Sequence, residues 1–454
     1  MTDNATTDQA ETPDIAALVA AQDWESVDSI LEGMADPDVA KVLPTLERTH
    51  WTALLNRLPP ERAASVYAYL STEQQTQLLD DLSDDEKAEI IGQLSYDDAA
   101  ALLEELPDEH TELLMDMLPR EDQEVLQTLL SYPEDSAGRL MTPQFVALRP
   151  EWDVRQCLDH VRRQAEEGET LSSLFVTSDN GQIVGWVRLQ DLLLGRPSAT
   201  LDTLMQPDVI SIPADEDQEE AARLIRHYDL EVLPVVDSVG RIAGIITVDD
   251  IMDVVEEETT EDFQKMGSVG VLNLSIKEAT TTLLYRKRIG WLIILVFVNM
   301  FAGAAIGIFE AAIEQVVALV FFLPMIIASG GNAGAQASTL MVRALATGDV
   351  QVRDWLKLWG KEMLVAFSLG LTMGLAVWAA GVWLGGPQVG LAVAISMVLV
   401  VVIGSMIGML LPFMLARFRL DPATASAPLI TSVVDIAGIL MYFSVATLIL
   451  QLSM

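Results

Sequence analysis

The chain has 454 residues and a formal net charge of −39 at pH 7, yet its mean hydropathy is +0.33. Acidity and hydrophobicity sit in different stretches: residues 1–285 carry 59 acids against 18 bases, whereas residues 286–454 carry 7 acids and 9 bases in a strongly apolar run. Such an acidic polar half excludes nucleic acid and anionic lipid surfaces as its partners, because both repel it, and it favours cations.

In chain order, residues 1–15 read as a disordered N-terminus. They have neither a basic n-region nor an apolar h-region, which predicts no signal peptide and a polar half that stays in the cytoplasm. The lone Cys157 cannot form an intrachain disulfide, in keeping with a reducing compartment. Residues 16–133 hold a leucine every twelfth position from Leu58 to Leu130, each of the first six followed by Pro or Ser and then a polar run, as in LPPERA, LSTEQQ and LSDDEK. Ser at an N-cap and Pro at the first helical position start helices, so the spacing predicts short helices of about two turns stacked as an acidic α-solenoid.

Next come two αβ units, residues 137–198 and 201–254, repeating at a spacing of 64 residues from Leu140-Met141-Thr142-Pro143 to Leu204-Met205-Gln206-Pro207. Each predicts a strand, an amphipathic helix (Asp153–Ala165, Asp217–His227), two apolar strands around a DNG or SVG turn, and a closing helix. These units resemble tandem cystathionine β-synthase-type (CBS) domains. That resemblance implies an α/β pair sensing adenine nucleotides such as ATP, or metal ions. Thr247 and Asp250 match the family's ribose-binding Ser/Thr-x-x-Asp, whereas the first unit lacks the hydroxyl at Arg188.

Residues 255–285 read as a linker. From Asp249 to Asp262 its approach is so acidic that carboxylates recur at helical spacings of three and four, which is unstable without a counter-ion. Divalent ions bridging these acids to others would make a cation-biased switch.

Five membrane spans follow in residues 286–454. Uncharged runs cover Ile289–Phe309, Gln315–Val342 and Met363–Ala416, the last divided by Gly385-Gly386-Pro387; a final run from Pro422 holds one charge, Asp435. Lys and Arg gather before the first span, between the second and third, and between the fourth and fifth, which predicts the N-terminal half inside and the C-terminus outside. A carboxylate among TSVVDIAGILMYF is costly in hydrocarbon and points to a water-filled path or a cation. Pro324 and the stretch SGGNAGAQ, residues 329–336, predict irregular backbone lining a cavity, with close helix packing through the glycines as the alternative; Pro412 and Pro428 predict further breaks.

Taken together, a helical-repeat domain, a CBS pair, a linker and five spans resemble the MgtE-type magnesium channels, a family of multidomain membrane proteins. The resemblance rests on FFLPMIIASGGNAGAQASTLMVRALATGD and DPATASAPLITSVVDIAGILMYFSVA. It implies a homodimer in the cell membrane whose pore is closed by cytoplasmic Mg²⁺. It also implies that Asp435 holds hydrated Mg²⁺, with Thr431, Gly331 and Asn332 completing the path. The linker helix, roughly Glu256–Leu272, then plugs the inner mouth. The implied Mg²⁺ sensor comprises Asp97 of the solenoid, Asp217, Glu219 and Asp229 of the second CBS unit, and Asp250, Asp253, Glu258, Glu261 and Asp262. Ala101 and Ala427 stand where relatives carry polar groups.

The chemistry agrees with Mg²⁺: it sheds water reluctantly and is held through one or two carboxylates, and a conducting site must also release it. The membrane half has no His or Cys for softer ions. The alternative is a coupled carrier or a channel for another divalent cation such as Co²⁺ or Mn²⁺. An intramembrane zinc protease is excluded, since His50, His110, His160 and His227 all lie outside the apolar half. No nucleophile–base pair or phosphate loop is present, which predicts a non-enzyme.

Overall fold

The computed structural model describes residues 15–106, 108–165, 168–272, 276 and 279–452. Nearly all of the predicted disordered terminus, and residues 273–275 and 277–278 of the linker, lie outside the described residues. The chain divides into two compact units, Met1–Glu257 and Glu258–Met454.

In the first unit the twelve-residue period becomes helices Pro60–Ala68, Thr72–Asp81, Asp84–Ile91, Tyr96–Glu105, Asp108–Met117 and Arg120–Leu130. The period is one short helix plus its connection, and the repeating leucine falls at the junction. Leu58, Leu70, Leu82, Leu106 and Leu118 are all buried there. Ser83 starts its helix with a capping box, its N–H donating to Glu86 Oε2 at 2.8 Å while its Oγ accepts from Glu86 N. One apolar core runs from this array into the second αβ repeat, where Ile212, Leu233, Val235, Ile246 and Ile251 join Leu103, Leu126 and Leu129.

The αβ repeats form two three-stranded sheets, β1 (Ala147–Leu148), β2 (Ser173–Thr177), β3 (Ile183–Arg188) and β4 (Ile212–Pro213), β5 (Val232–Val236), β6 (Ile242–Thr247). In each, the short first strand runs parallel to the second, which pairs antiparallel with the third. The opening segments are exchanged: Thr142 pairs with Ile245 of β6, and Gln206 with Trp186 of β3. This close pairing requires glycine, since a Cβ on Gly244 would sit 2.7 Å from the Thr142 carbonyl and one on Gly185 2.9 Å from that of Gln206. The amphipathic helices are Val154–Gln164 and Gln218–Tyr228, with Asp153 and Asp217, where the expected helices begin, as their N-caps.

The linker differs from its expected extent. No separate helix covers Glu256–Leu272; one helix, Val248–Met266, starts directly after β6 and stops at Met266. Ser268 then adopts a left-handed φ of 58°. The helix ends where Gly267 and the left-handed Ser268 follow its last turn.

Among the described residues the second unit contains five helices long and apolar enough to cross a membrane: Thr281–Gly307, Ala318–Ala346, Val352–Gly385, Pro387–Arg417 and Ala427–Leu450. The fourth is the centre, packing against the second, third and fifth, while the first rests on the fifth. The Tyr442 hydroxyl ties the fifth span to the second, donating to the Leu319 carbonyl at 2.8 Å. Two expected breaks are absent. The second span is continuous helix through Pro324 and through residues 329–336, and the fourth is continuous through Pro412. Pro428 lies in the first turn of the fifth span, where its missing N–H costs nothing.

Candidate functional site

The glycines that suggested a break instead permit contact. A Cβ on Gly330 would lie 2.5 Å from Val400 Cγ1, and one on Gly334 2.8 Å from the Gly404 carbonyl oxygen. Conversely, a Cβ on Gly404 or Gly408 would overlap the carbonyls of Gly330 or Gly334. The alternative of small-residue packing is therefore the one realised. It fixes the rotation of the second span: Gly330, Gly331, Ala333 and Gly334 are buried, whereas Asn332 and Gln336 are exposed.

Gly331 faces the fifth span, its Cβ position 3.1 Å from Thr431 Cγ2. Thr431 donates back to the Pro428 carbonyl at 3.0 Å, leaving its oxygen lone pairs able to accept. Asp435 lies one helical turn further on, half-buried, with no hydrogen bond or ion pair among the described residues. Asn332 and Gln336 likewise make no hydrogen bond among them. By contrast Ser329 and Thr339 satisfy their hydroxyls on their own helix, at 2.7 Å to Met325 O and 2.9 Å to Ala335 O. Unsatisfied amides and a carboxylate at mid-span are expensive against lipid, so this face must meet water, an ion or protein.

The candidate sensor acids divide into three places. Asp97, in the first turn of helix Tyr96–Glu105, faces Asp250 within the first unit. Asp98, Glu169, Asp249 and Asp253 belong to the same electrostatic cluster. Burial, then Asp250, then Asp98, push the Asp97 carboxyl up to about 8, and its Oδ1 is buried without a hydrogen-bond partner. Burial also raises Asp250 to about 6, against the hydrogen bonds it accepts from Thr247 N and Oγ1. Asp98, Asp253 and Glu169 are raised for the same first reason.

Asp217 and Glu219 start helix Gln218–Tyr228, with Asp217 Oδ1 accepting from Glu219 N at 2.8 Å, while Asp229 ends it. Eleven residues of helix separate the two ends by about 16 Å, so these three acids do not share one ion. Glu258, Glu261 and Asp262 lie on the last turns of the linker helix, in the second unit. There Asp262 is raised to about 6, by burial first and then by Asp421. Among the described residues no three His, Cys, Asp or Glu side chains converge closely enough to hold a metal ion as they stand. The acids of the Asp97 cluster crowd one another with Asp97 holding its proton, an arrangement that a hydrated divalent ion displacing that proton would relieve through its water shell.

Sequence reasoning missed Asp98, Glu169, Asp421 and Lys265. Asp98 adjoins Asp97, and Lys265 is the only base between Arg241 and Lys277, so both left a signal. Glu169 sits in a loop with none. The Asp97 cluster has a stability consequence. Asp97 keeps its proton in the folded state up to about pH 8 but loses it near pH 4 when unfolded, so its contribution falls as pH rises between those values. In chelator at pH 8, Asp97→Asn should raise the melting temperature of the first unit by about 2–4 °C. The gain should shrink toward pH 4, and Mg²⁺ should stabilise the wild type more than the variant. Scanning calorimetry at both pH values checks this; equal melting at pH 8 contradicts it.

At the other end of this cluster, Thr247 N and Oγ1 both donate to Asp250 Oδ2 at the start of the linker helix. In the first repeat the corresponding Asp191 is taken by Arg188, Nε to Oδ2 at 2.9 Å.

The family model of a divalent cation transporter matches residues 323–445, that of the MgtE intracellular N domain matches 34–135, and that of the CBS domain matches 137–196 and 201–257. A magnesium transporter MgtE of Thermus thermophilus is 38% identical, over 94% of this chain and 96% of that one. A Bacillus subtilis magnesium transporter MgtE is 37% identical over 71% of each chain. Among solved structures, the cytosolic domain of the Mg²⁺ channel MgtE in complex with ATP is similar with a TM-score of 0.50 and 36% identity, covering 53% of this chain and 99% of that one.

Proposed function

The chain belongs to the MgtE family of magnesium transporters, and on that premise we propose that it is a channel conducting hydrated Mg²⁺ into the cytoplasm and closing when cytoplasmic Mg²⁺ rises. The observation that carries the reading is Asp435, a half-buried carboxylate in the fifth span with no counter-ion among the described residues, one turn from Thr431. A single acid attracts a divalent ion without stripping its water, which is the balance permeation needs. Asn332 on the second span, with Gly331 keeping the backbone close to Thr431, adds an amide to the same path. The exposed amides of Asn332 and Gln336 support a homodimer in which a second copy completes the wall, with the basic loops inside and the C-terminus outside.

Closure is assigned to the acids. Asp250 and Asp253, joined by Asp97 once it gives up its proton, repel when no ion is present and are drawn together when Mg²⁺ neutralises them. Asp217, Glu219, Asp229, Glu258, Glu261 and Asp262 serve the same sensing as separate contributors. Mg²⁺ uptake into liposomes containing the purified chain, followed with an internal Mg²⁺ indicator, tests the transport reading; uptake no greater than into empty liposomes contradicts it.

Adenine nucleotide binding, ATP first among candidates, is assigned to Thr247 and Asp250, which fit a ribose by their donor and acceptor pair at the end of β6. Thr247→Ala should weaken ATP binding about three- to tenfold in titration calorimetry, the worth of a hydrogen bond or two. Unchanged affinity moves the nucleotide elsewhere.

A further inference from the structure

We propose that the start of the third span binds the phosphate of an anionic phospholipid, held by Arg353, Lys357 and Lys361 beside Trp355 and Trp359. Such a site is independent of which ion the chain carries. Lys357 and Lys361 lie one turn apart on the helix Trp355–Gly385, and Arg353 stands in the short turn Val352–Asp354 that leads into it. All three are exposed, and their side chains make no ion pair or hydrogen bond among the described residues. Like charges four residues apart repel, and the first turns of a helix already carry the positive end of its dipole. The row is therefore unfavourable until an anion joins it. The neighbouring acids do not serve: Asp354 Oδ2 accepts from Gln351 N at 3.1 Å, and neither Asp354 nor Glu362 pairs with any of the three bases among the described residues.

The depth of this turn follows from the length of the span. Its 31 residues of helix measure about 46 Å, against a hydrocarbon core of about 30 Å, so its ends stand among the headgroups. Exposed tryptophans mark both ends, Trp355 and Trp359 at the start, Trp378 and Trp383 toward the finish. Trp359 and Trp383 are about 36 Å apart along the helix, the spacing of two interfacial belts. The rotation is fixed as well. Leu358 packs into the cluster of Ala337, Met409 and Phe413, which leaves the bases on the outer faces of the helix.

A lipid fits better than free phosphate because the basic face continues as apolar surface. Leu364, Leu371 and Leu375 follow Lys361 at intervals of three, seven and four, and all are exposed. A phosphodiester at the bases lays its acyl chains along these leucines, with the two indoles at the boundary between polar and apolar parts. The charge of residues 286–454, 9 bases against 7 acids, does not oppose an anionic headgroup as that of residues 1–285 does.

Native mass spectrometry of the delipidated full chain in detergent, titrated with phosphatidylglycerol or phosphatidylcholine, tests the site. Phosphatidylglycerol should bind more tightly. Lys357→Gln should weaken it about fivefold, the worth of one base at an anionic surface, and Lys357→Arg should keep the wild-type affinity. Arg353→Gln and Lys361→Gln should act as Lys357→Gln does, with phosphatidylcholine binding unchanged in all. Arg417→Gln removes a base at the end of the fourth span and should leave the preference intact. Equal affinity for the two lipids, no loss in the three Gln variants, or an equal loss in Arg417→Gln overturns the proposal. So does displacement of phosphatidylglycerol by millimolar inorganic phosphate, which would mark a site for the free anion.

Discussion

Replacing Asp435 by Asn should abolish Mg²⁺ uptake while leaving the protein as stable as before, or more so. At about 4 Å and an effective dielectric near 20, a unit carboxylate contributes about 4 kcal/mol to holding a unit of positive charge. Its loss should therefore lower ion occupancy, and with it flux at submillimolar Mg²⁺, at least about a hundredfold. Asn keeps the shape and removes only the charge. Because Asp435 has no partner among the described residues, nothing is orphaned by the change, and a half-buried charge is no longer held in an apolar helix. A role in holding helices together predicts the opposite pattern, with lower melting temperature and residual flux. Measuring both quantities on one preparation separates the two.

The second large effect is structural. Gly408→Val should prevent the second and fourth spans from packing, because even a Cβ there overlaps the Gly334 carbonyl. Overpacking a core costs about 1–3 kcal/mol where side chains can yield, and here the obstacle is helix backbone, so the upper end or beyond is expected. Gly404→Val should behave alike, since its Cβ meets the Gly330 carbonyl. Gly303→Val is the control, with nothing within 4 Å of its Cβ position. The measurement is the fraction of monodisperse protein after a heat step in detergent. Equal survival of the Gly408 and Gly303 variants would mean that the spans do not cross at these glycines.

How far this was legible from sequence depends on the kind of signal. The helical array was readable because its period is produced locally: a capping Ser or Pro, two turns, and a leucine at the junction. The αβ repeats were readable from alternation and from DNG and SVG, whose glycines do take the positive φ values such turns need, 78° at Gly181 and 79° at Gly240. The five spans followed from uncharged length. The glycine stretch at residues 329–336 was misread because its outcome is decided by a partner more than sixty residues away: Gly404 and Gly408 make room for a continuous helix that local propensity alone disfavours. The helix that enters the linker starts earlier than Glu256 for a related reason. Nothing in DDIMDVVEEETTED marks a boundary after β6, and none forms.

Among site residues, Asp435 announced itself as the only charge in its run, and Asp97 and Asp250 do face each other. Asp217 and Asp229, twelve positions apart, were grouped by resemblance, yet an intervening helix holds them at its opposite ends. Glu169 joins the Asp97 cluster from a loop, a placement only tertiary structure creates. The sequence had singled out charges in unfavourable surroundings, but could not reveal which of them share a neighbour.

The most direct test of the account is the current through inside-out membrane patches with Mg²⁺ as the sole permeant cation, as cytoplasmic Mg²⁺ is stepped from nominally zero to several millimolar. A Mg²⁺ current that is present at zero, closes as cytoplasmic Mg²⁺ rises, and is missing in Asp435→Asn is the predicted result. A current indifferent to cytoplasmic Mg²⁺, or one that survives loss of the Asp435 charge, would contradict it.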